Sequence, residues 1–302
     1  MNFSTKTLKG TGVAVVTPFN EDYSIDIDSI NKIVDFLIDN GVDYIVVQGT
    51  TGEASTLSEE EKKISRLAFV SANKRRVPLI LGLGSNDTLS IIKDLVNINF
   101  FGFSAILSVT PFYNKPSQQG LYKHYSEISK ASPLPIILYN VPSRTGINML
   151  PDTTINLAVN HSNIIGIKEA CGDLNQINQL ITERPKDFMI ISGDDDTAVE
   201  TVLMGGDGVI SVAAGCIPKY FSEIIQLALD KNKNLSLKKF NSIKHLIKLL
   251  FEEGNPSGIK SALSSMNLCK NILRLPLTVV SNDLGLNIKN SISLFEVFDI
   301  FT

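Results

Sequence analysis

The chain contains no tryptophan, and only three cysteines and three histidines are spread over its 302 residues. Cys171, Cys216 and Cys269 are odd in number, far apart and without CxxC spacing. That pattern argues against a disulfide scaffold or a thiolate zinc site and fits a reducing cytoplasm. His124, His161 and His245 are equally scattered, and none stands beside the acidic run Asp194-Asp195-Asp196. No apolar stretch is long enough to span a bilayer, and residues 1–6 lack the apolar core of a signal peptide. Neither charge is in excess: 28 Lys and Arg against 31 Asp and Glu leave a net charge of −3. Nothing in that balance attracts nucleic acid or an anionic membrane.

What is present is an apolar fraction of 43% with 20% charged residues, the composition of a soluble globular chain. The length exceeds an ordinary single domain but suits an α/β barrel. Eight short apolar runs recur: Val13 to Phe19, Tyr44 to Thr50, Pro78 to Gly84, Ala105 to Phe112, Pro135 to Pro142, Ile164 to Ala170, Met189 to Asp194 and Gly208 to Ala214. They are nearly continuous rather than alternating, as parallel strands covered on both faces should be.

Helical spacing fills the gaps. Asp28 to Asn40 places Ile30, Ile33, Val34, Leu37 and Ile38 on one face, with Gly41 as a stop. Ser58 and Glu61 form a capping box before a helix through Val70. Thr88 to Asn97, Gln118 to Ala131, Asp152 to Val159, Leu174 to Ile181 and Asp196 to Met204 continue the series. Repeated right-handed crossovers predict a closed (β/α)8 TIM barrel over residues 1–231. An open doubly wound sheet would accept the same alternation, but no Gly-rich nucleotide fingerprint follows the first strand. After about Lys231 the strands stop. Leu235 to Phe251, Ser257 to Met266 and Ser291 to Thr302 predict an appended C-terminal helical region, 232–302.

Lys168 interrupts one of the strands, in Ile164-Ile165-Gly166-Ile167-Lys168-Glu169-Ala170. Loss of hydration disfavours the charged form of an amine, and a neutral amine can form a Schiff base with a carbonyl substrate. The other reading is a strand-end lysine paired with an acid or reaching water by its stem. Further unusual residues fall at strand ends, where barrel enzymes carry their chemistry. They are Thr17-Pro18-Phe19, the Gly49-Thr50-Thr51-Gly52-Glu53 turn, the run from Thr110 through Tyr113 to Pro116, and Tyr139 followed by Arg144. The threonine turn could cradle a small anion with its backbone N–H groups and hydroxyls, or be a plain β–α turn capped by Thr51. Tyrosines and an arginine at such places serve packing and solvation as readily as catalysis. Cys171 reads as a small buried apolar residue or a reactive thiol.

The motifs GTTGE (49–53), TPFYNKP (110–116), YNVPSRTG (139–146), GIKEA (166–170) and GDGVISV (206–212) together resemble the dihydrodipicolinate synthase / N-acetylneuraminate lyase family of pyruvate-dependent aldolases. The likeness runs from Gly10-Thr11-Gly12 through Glu253-Gly254-Asn255-Pro256. It implies that Lys168 forms an imine with pyruvate while Thr50 and Thr51 hold the carboxylate and Ile210 lines the same pocket. It further implies that Tyr139 is the general acid and base, with Thr51 and Tyr113 completing its proton relay. In the family the tyrosine matching Tyr113 reaches a neighbouring subunit's site, which implies a homotetramer built as a dimer of dimers. Arg144 would clamp the carboxylate of aspartate semialdehyde. Lyases of sialic and sugar acids generally lack this arginine and the second threonine, so the condensing branch is favoured over a keto sugar acid lyase.

Family members inhibited by lysine bind it in a cleft at the dimer interface. The matching positions are Glu59, Ser90 and Phe112, with Asn86 retained and Lys62 nearby. Ser90 supplies no carboxylate and Phe112 no hydroxyl, so weak or absent inhibition by lysine is expected. The aspartate run at 194–196 invites a metal-dependent aldolase, but adjacent aspartates diverge and more often make turns or caps. No metal and no cofactor is expected.

Overall fold

The computed structural model describes the backbone of residues 8–300 and the side chains of residues 8–295, so the reading of residues 1–6 and the end of the last predicted helix lie outside it. Eight parallel strands close into a barrel in chain order. They are β1 (Gly10–Ala14), β2 (Tyr44–Val47), β3 (Leu79–Gly82), β4 (Ala105–Val109), β5 (Ile136–Asn140), β6 (Ile164–Glu169), β7 (Met189–Ser192) and β8 (Gly208–Ser211). The predicted barrel is therefore present.

The helices are α1 (Ile27–Asp39), α2 (Glu59–Asn73), α3 (Thr88–Asn97), α4 (Gln118–Ala131), α5 (Pro142–Thr145), α6 (Pro151–Asn160), α7 (Leu174–Glu183), α8 (Ala198–Met204) and α9 (Pro218–Leu229). Then follow α10 (Lys233–Glu252), α11 (Ser257–Ser265) and α12 (Asn282–Ile300). The capping box forms as the sequence predicts. The Ser58 amide donates to Glu61 at 2.8 Å and the Ser58 hydroxyl accepts from the Glu61 amide at 3.3 Å. Gly41 sits just past α1 with φ +81°, a conformation costly for any side chain.

The strands end earlier than the apolar runs that predict them, and the structure also departs from the expectation at β1, α9 and α12. β1 begins at Gly10 and ends at Ala14, so most of Val13 to Phe19 lies beyond the sheet. Pro18 offers no N–H to a ladder, and Phe19 makes only an isolated bridge to Ile25. Helix α9, absent from the sequence reading, buries Phe221, Ile224, Ile225 and Ala228 at helical spacing behind Pro218 at its first turn. Helix α12 starts nine residues earlier than Ser291. The Ser281 hydroxyl and amide are held by Glu253, which fixes the chain just before that helix.

Two layers of core follow from strand geometry, since successive side chains point to opposite faces. Inside the barrel lie Ala14, Tyr44, Val46, Leu107, Tyr139 and Ile210. Outside, β1 and β8 share one cluster with α9, α10, α11 and α12, including Val209, Phe221, Phe240, Ile259 and Ile288. The C-terminal helices are thus packed onto the barrel wall rather than held by a linker. Among the described residues no helix is long and apolar enough to cross a membrane.

The interior is filled by pairing large with small across neighbouring strands. Gly12 is the register partner of Tyr44, and a Cβ at Gly12 would lie 2.1 Å from the Tyr44 ring. The Tyr44 hydroxyl meanwhile donates to the Val209 carbonyl at 3.2 Å, so the ring is held on its far side as well. Gly12→Ala should lower stability by about 1–3 kcal/mol, the usual cost of overpacking. A urea unfolding midpoint shifted to lower concentration at unchanged slope checks this.

Candidate active site

The C-terminal ends of the strands surround a cavity of about 210 Å³. Lys168 enters it from β6, 6% exposed. Its register partner on β5 is Tyr139, and the Lys168 Nζ lies 4.3 Å from the Tyr139 ring centroid. That separation allows a cation–π contact and leaves the amine facing the cavity. Gly193, just after β7, stands against the lysine stem. A Cβ there would approach Lys168 Cγ and Cε to 3.0 Å and Ala170 Cβ to 2.8 Å.

The threonine turn after β2 is a single 3-10 turn, Thr50–Gly52. Thr50 is exposed at the cavity wall and Thr51 is buried. Three contacts fix the turn. The Thr17 hydroxyl donates to the Gly52 carbonyl at 2.6 Å. Asn255 Nδ2 donates to the Thr51 hydroxyl at 3.0 Å. Glu53, in a left-handed conformation at φ +51°, reaches Lys260 Nζ on α11 at 2.5 Å, both side chains fully buried. Burial lowers the Lys260 ammonium below the ordinary lysine range, and the Glu53 carboxylate opposes that.

Arg144 lies on α5, exposed at the cavity rim, with Nη2 3.5 Å from the Asn255 carbonyl. The cavity therefore brings together Lys168, Tyr139, Thr50, Thr51 and Arg144. Two sequence candidates stand apart from its wall. Ile210 packs in the barrel interior with Tyr139 and Ile191. Tyr113 is 85% exposed with φ +72° on the loop after β4, outside the cavity lining of this chain.

The sequence reading missed Asn255, which lines the cavity and is 7% exposed. Its Oδ1 has no hydrogen-bond partner among the described residues, although Nδ2 and the carbonyl are both engaged. No local signal could place it, because it is 204 positions from Thr51. Of the aspartate run, Asp194 and Asp195 line the cavity. Asp195 Oδ2 accepts from the Val212 and Ala213 amides at 3.1 and 2.8 Å, as a cap of the turn after β8. Burial pushes its carboxyl up to about 6 against these donors. Asp194 is raised as well, chiefly by burial, with the Lys168 charge opposing. Cys171 is half-buried, and burial beside Glu169 pushes its thiol up to about 12, which makes it a poor nucleophile.

The sequence profile of the dihydrodipicolinate synthetase family matches residues 7–294. The 4-hydroxy-tetrahydrodipicolinate synthase of Flavobacterium psychrophilum is 47% identical over 286 residues, covering 95% of this chain and 96% of its own. A solved monomeric dihydrodipicolinate synthase variant superposes with a TM-score of 0.93 at 37% identity, covering 97% of this chain and 98% of its own. The chloride-inhibited dihydrodipicolinate synthase of Acinetobacter baumannii, solved with pyruvate, superposes at 0.92 with 41% identity over 95% of this chain and 99% of its own.

The contact between Gly193 and the Lys168 stem yields a test. Gly193→Ala should crowd the Lys168 stem and Ala170 and lower stability by about 1–3 kcal/mol, the usual cost of overpacking. A lowered urea unfolding midpoint at unchanged slope measures that loss.

Proposed function

The chain belongs to the dihydrodipicolinate synthetase family, and from that membership we propose that it condenses pyruvate with L-aspartate 4-semialdehyde. This is the 4-hydroxy-tetrahydrodipicolinate synthase reaction of diaminopimelate and lysine biosynthesis. The observation that carries the reading is the Lys168 amine over the Tyr139 ring, inside a cavity walled by Thr50, Thr51 and Arg144.

In this mechanism the Lys168 amine adds to the keto carbon of pyruvate, and water leaves as the imine forms. Tyr139 delivers and removes the protons of that step, with Thr51 and Tyr113 as its relay. The imine draws electrons from the adjacent C–H bond, so a methyl proton is lost and an enamine results. Its carbon attacks the aldehyde of the second substrate. The amino group of that substrate then adds to the imine carbon, closing the ring and releasing the Lys168 amine. Thr50 and Thr51 hold the pyruvate carboxylate, Ile210 supports the pocket floor, and Arg144 binds the second carboxylate with its planar fork. Asn255 Oδ1 offers an acceptor for the substrate ammonium.

Tyr113 joins the relay from a second copy of the chain. Its exposure, with Leu89 and Val96 on α3 each 74% exposed, supports a dimer across this face, two of which make the homotetramer. The enzyme works in the cytoplasm on small molecules.

Incubation with pyruvate, borohydride reduction and peptide mass spectrometry should find the reduced pyruvyl group on Lys168. A modified residue elsewhere, or none with pyruvate bound, would overturn the mechanism. Turnover with aspartate semialdehyde but not with N-acetylneuraminate separates the synthase from a sugar acid lyase.

Free lysine should inhibit weakly or not at all. Lys62 already pairs with Glu59 at 2.8 Å, and the Ser90 hydroxyl donates to Asp87 at 2.7 Å. Asn86 Nδ2 donates to the Phe112 carbonyl at 3.3 Å. An inhibition constant in the low micromolar range, read from initial rates, contradicts this.

A further inference from the structure

Lys168 is followed by a carboxylate that the mechanism does not use. Glu169 points to the opposite face of the barrel wall from Lys168, because side chains alternate along a strand, and it is fully buried. Its register partner on β5 is Asn140, also fully buried, on the rung next to the Tyr139–Lys168 pair.

Asn140 Nδ2 lies 2.9 and 3.0 Å from the two Glu169 oxygens. Gln176 Nε2 on α7 donates to Oε2 at 3.0 Å, and the Cys171 amide donates to Oε1 at 2.9 Å. Asn140 Oδ1 accepts from the Met149 amide at 2.9 Å. Asn148 Nδ2 donates to Gln176 Oε1 at 2.8 Å. The Cys171 thiol is a further partner of the carboxyl, so Glu169 accepts from donors on β5, just after β6 and on α7.

The surrounding layer between strands and helices is apolar, with Ile106, Leu138, Ile164 and Ile167. Hydrophobic residues would fill the two positions at lower desolvation cost, because buried polar networks stabilise only when fully satisfied. What they add is a defined geometry at the ends of two strands. β5 ends on Asn140 and β6 on Glu169, where the chain leaves the sheet beside the cavity. The backbone carries the constraint to the cavity. The Ala170 amide donates to the Asn140 carbonyl at 2.9 Å, and the Gly193 amide donates to the Glu169 carbonyl at 2.7 Å. Gly193 is the residue that abuts the Lys168 stem.

We infer that Glu169 and Asn140 are positioning residues for imine formation, holding the Tyr139–Lys168 rung from behind the barrel wall with Gln176 as their anchor on α7. Neither touches substrate. The inference rests on Lys168 being the imine-forming residue, which the trapping of the parent protein tests separately.

Glu169→Gln is isosteric but sets an amide donor against Asn140 Nδ2. It should keep cooperative melting and leave pyruvate affinity within about threefold, since carboxylate-binding groups are untouched. The rate of borohydride-trappable adduct formation on Lys168 should fall by about 10- to 100-fold. The exchange Asn140→Asp with Glu169→Gln restores an acceptor facing a donor and should recover part of that rate. Gln176→Leu loosens the same carboxylate from the helix side, without touching either strand, and should slow the adduct measurably. A folded Glu169→Gln protein reacting at the parent rate overturns the inference. Should Glu169→Gln fail to fold, a Gln176→Leu protein reacting at the parent rate does so.

Discussion

An ammonium and a carboxylate with no solvent exposure, Lys260 and Glu53, join the turn that walls the cavity to the helix that covers the barrel. Taking both charges out of water is expensive, and such a pair survives only with further hydrogen bonds to each partner. Those are present. Lys260 Nζ donates to the Ile272 carbonyl at 2.8 Å, and Glu53 Oε2 accepts from the Arg274 amide at 3.2 Å. The Phe19 ring receives both cations, Lys260 at 4.1 Å and the Arg274 guanidinium at 4.5 Å. Losing one partner of a buried pair costs about 3–5 kcal/mol, far more than the pair contributes over an apolar substitute. The arrangement is therefore better understood as fixing position than as adding stability. It holds the left-handed Glu53, hence the Thr50–Gly52 turn, against the segment that brings Asn255 to Thr51.

The same economy governs the barrel. Its interior accepts Tyr44 only because Gly12 faces it, and its rim accepts the Lys168 stem only because Gly193 faces that. A strand-end lysine has one face of the wall to reach into the cavity. The other face, one residue on, must be sealed against helices. Glu169 occupies that face and accepts hydrogen bonds from side chains and backbone. A cavity-facing lysine on one side of the wall and a polar network on the other follow from one alternating strand.

Much of this was legible in the sequence, for reasons that are local. β-branched runs marked eight strands, the Ser58–Glu61 pair marked the start of α2, and Lys168 stood out because a charged residue broke an apolar run. Tyr139 and Lys168 fell on neighbouring strands because chain order and barrel order coincide. What was hidden depends on distance along the chain or on turn geometry. β1 was displaced because Val15 and Val16 look like strand residues yet leave the ladder ahead of Pro18. α9 was not legible although its apolar spacing is regular, because it follows the last strand and no further strand marks it off as part of a β–α unit. Asn255 could not be placed without the fold. Ile210 and Tyr113 came from family likeness, and this chain puts the first beneath the cavity and the second outside it.

The ionisable groups around the cavity work against the fold as well as for it. Asp195 is raised to about 6 by burial, from an ordinary value of 3.8. The folded state therefore binds this proton more tightly than the unfolded chain, and stability falls as pH rises from about 4 to 6. Glu61 has the opposite sign. The Arg274 guanidinium holds it down at about 2, from 4.5, so its contribution is present above about pH 4.5 and is lost as pH falls toward 2. Glu61 lies with Arg274 in the bracing that surrounds Glu53, whereas Asp195 lines the cavity itself. At neutral pH the bracing stabilises and the cavity carboxyl destabilises. Keeping a buried acid in the cavity wall is tolerable because the Val212 and Ala213 amides donate to Asp195 and the surrounding ion pairs and packed helices hold the strand ends in place.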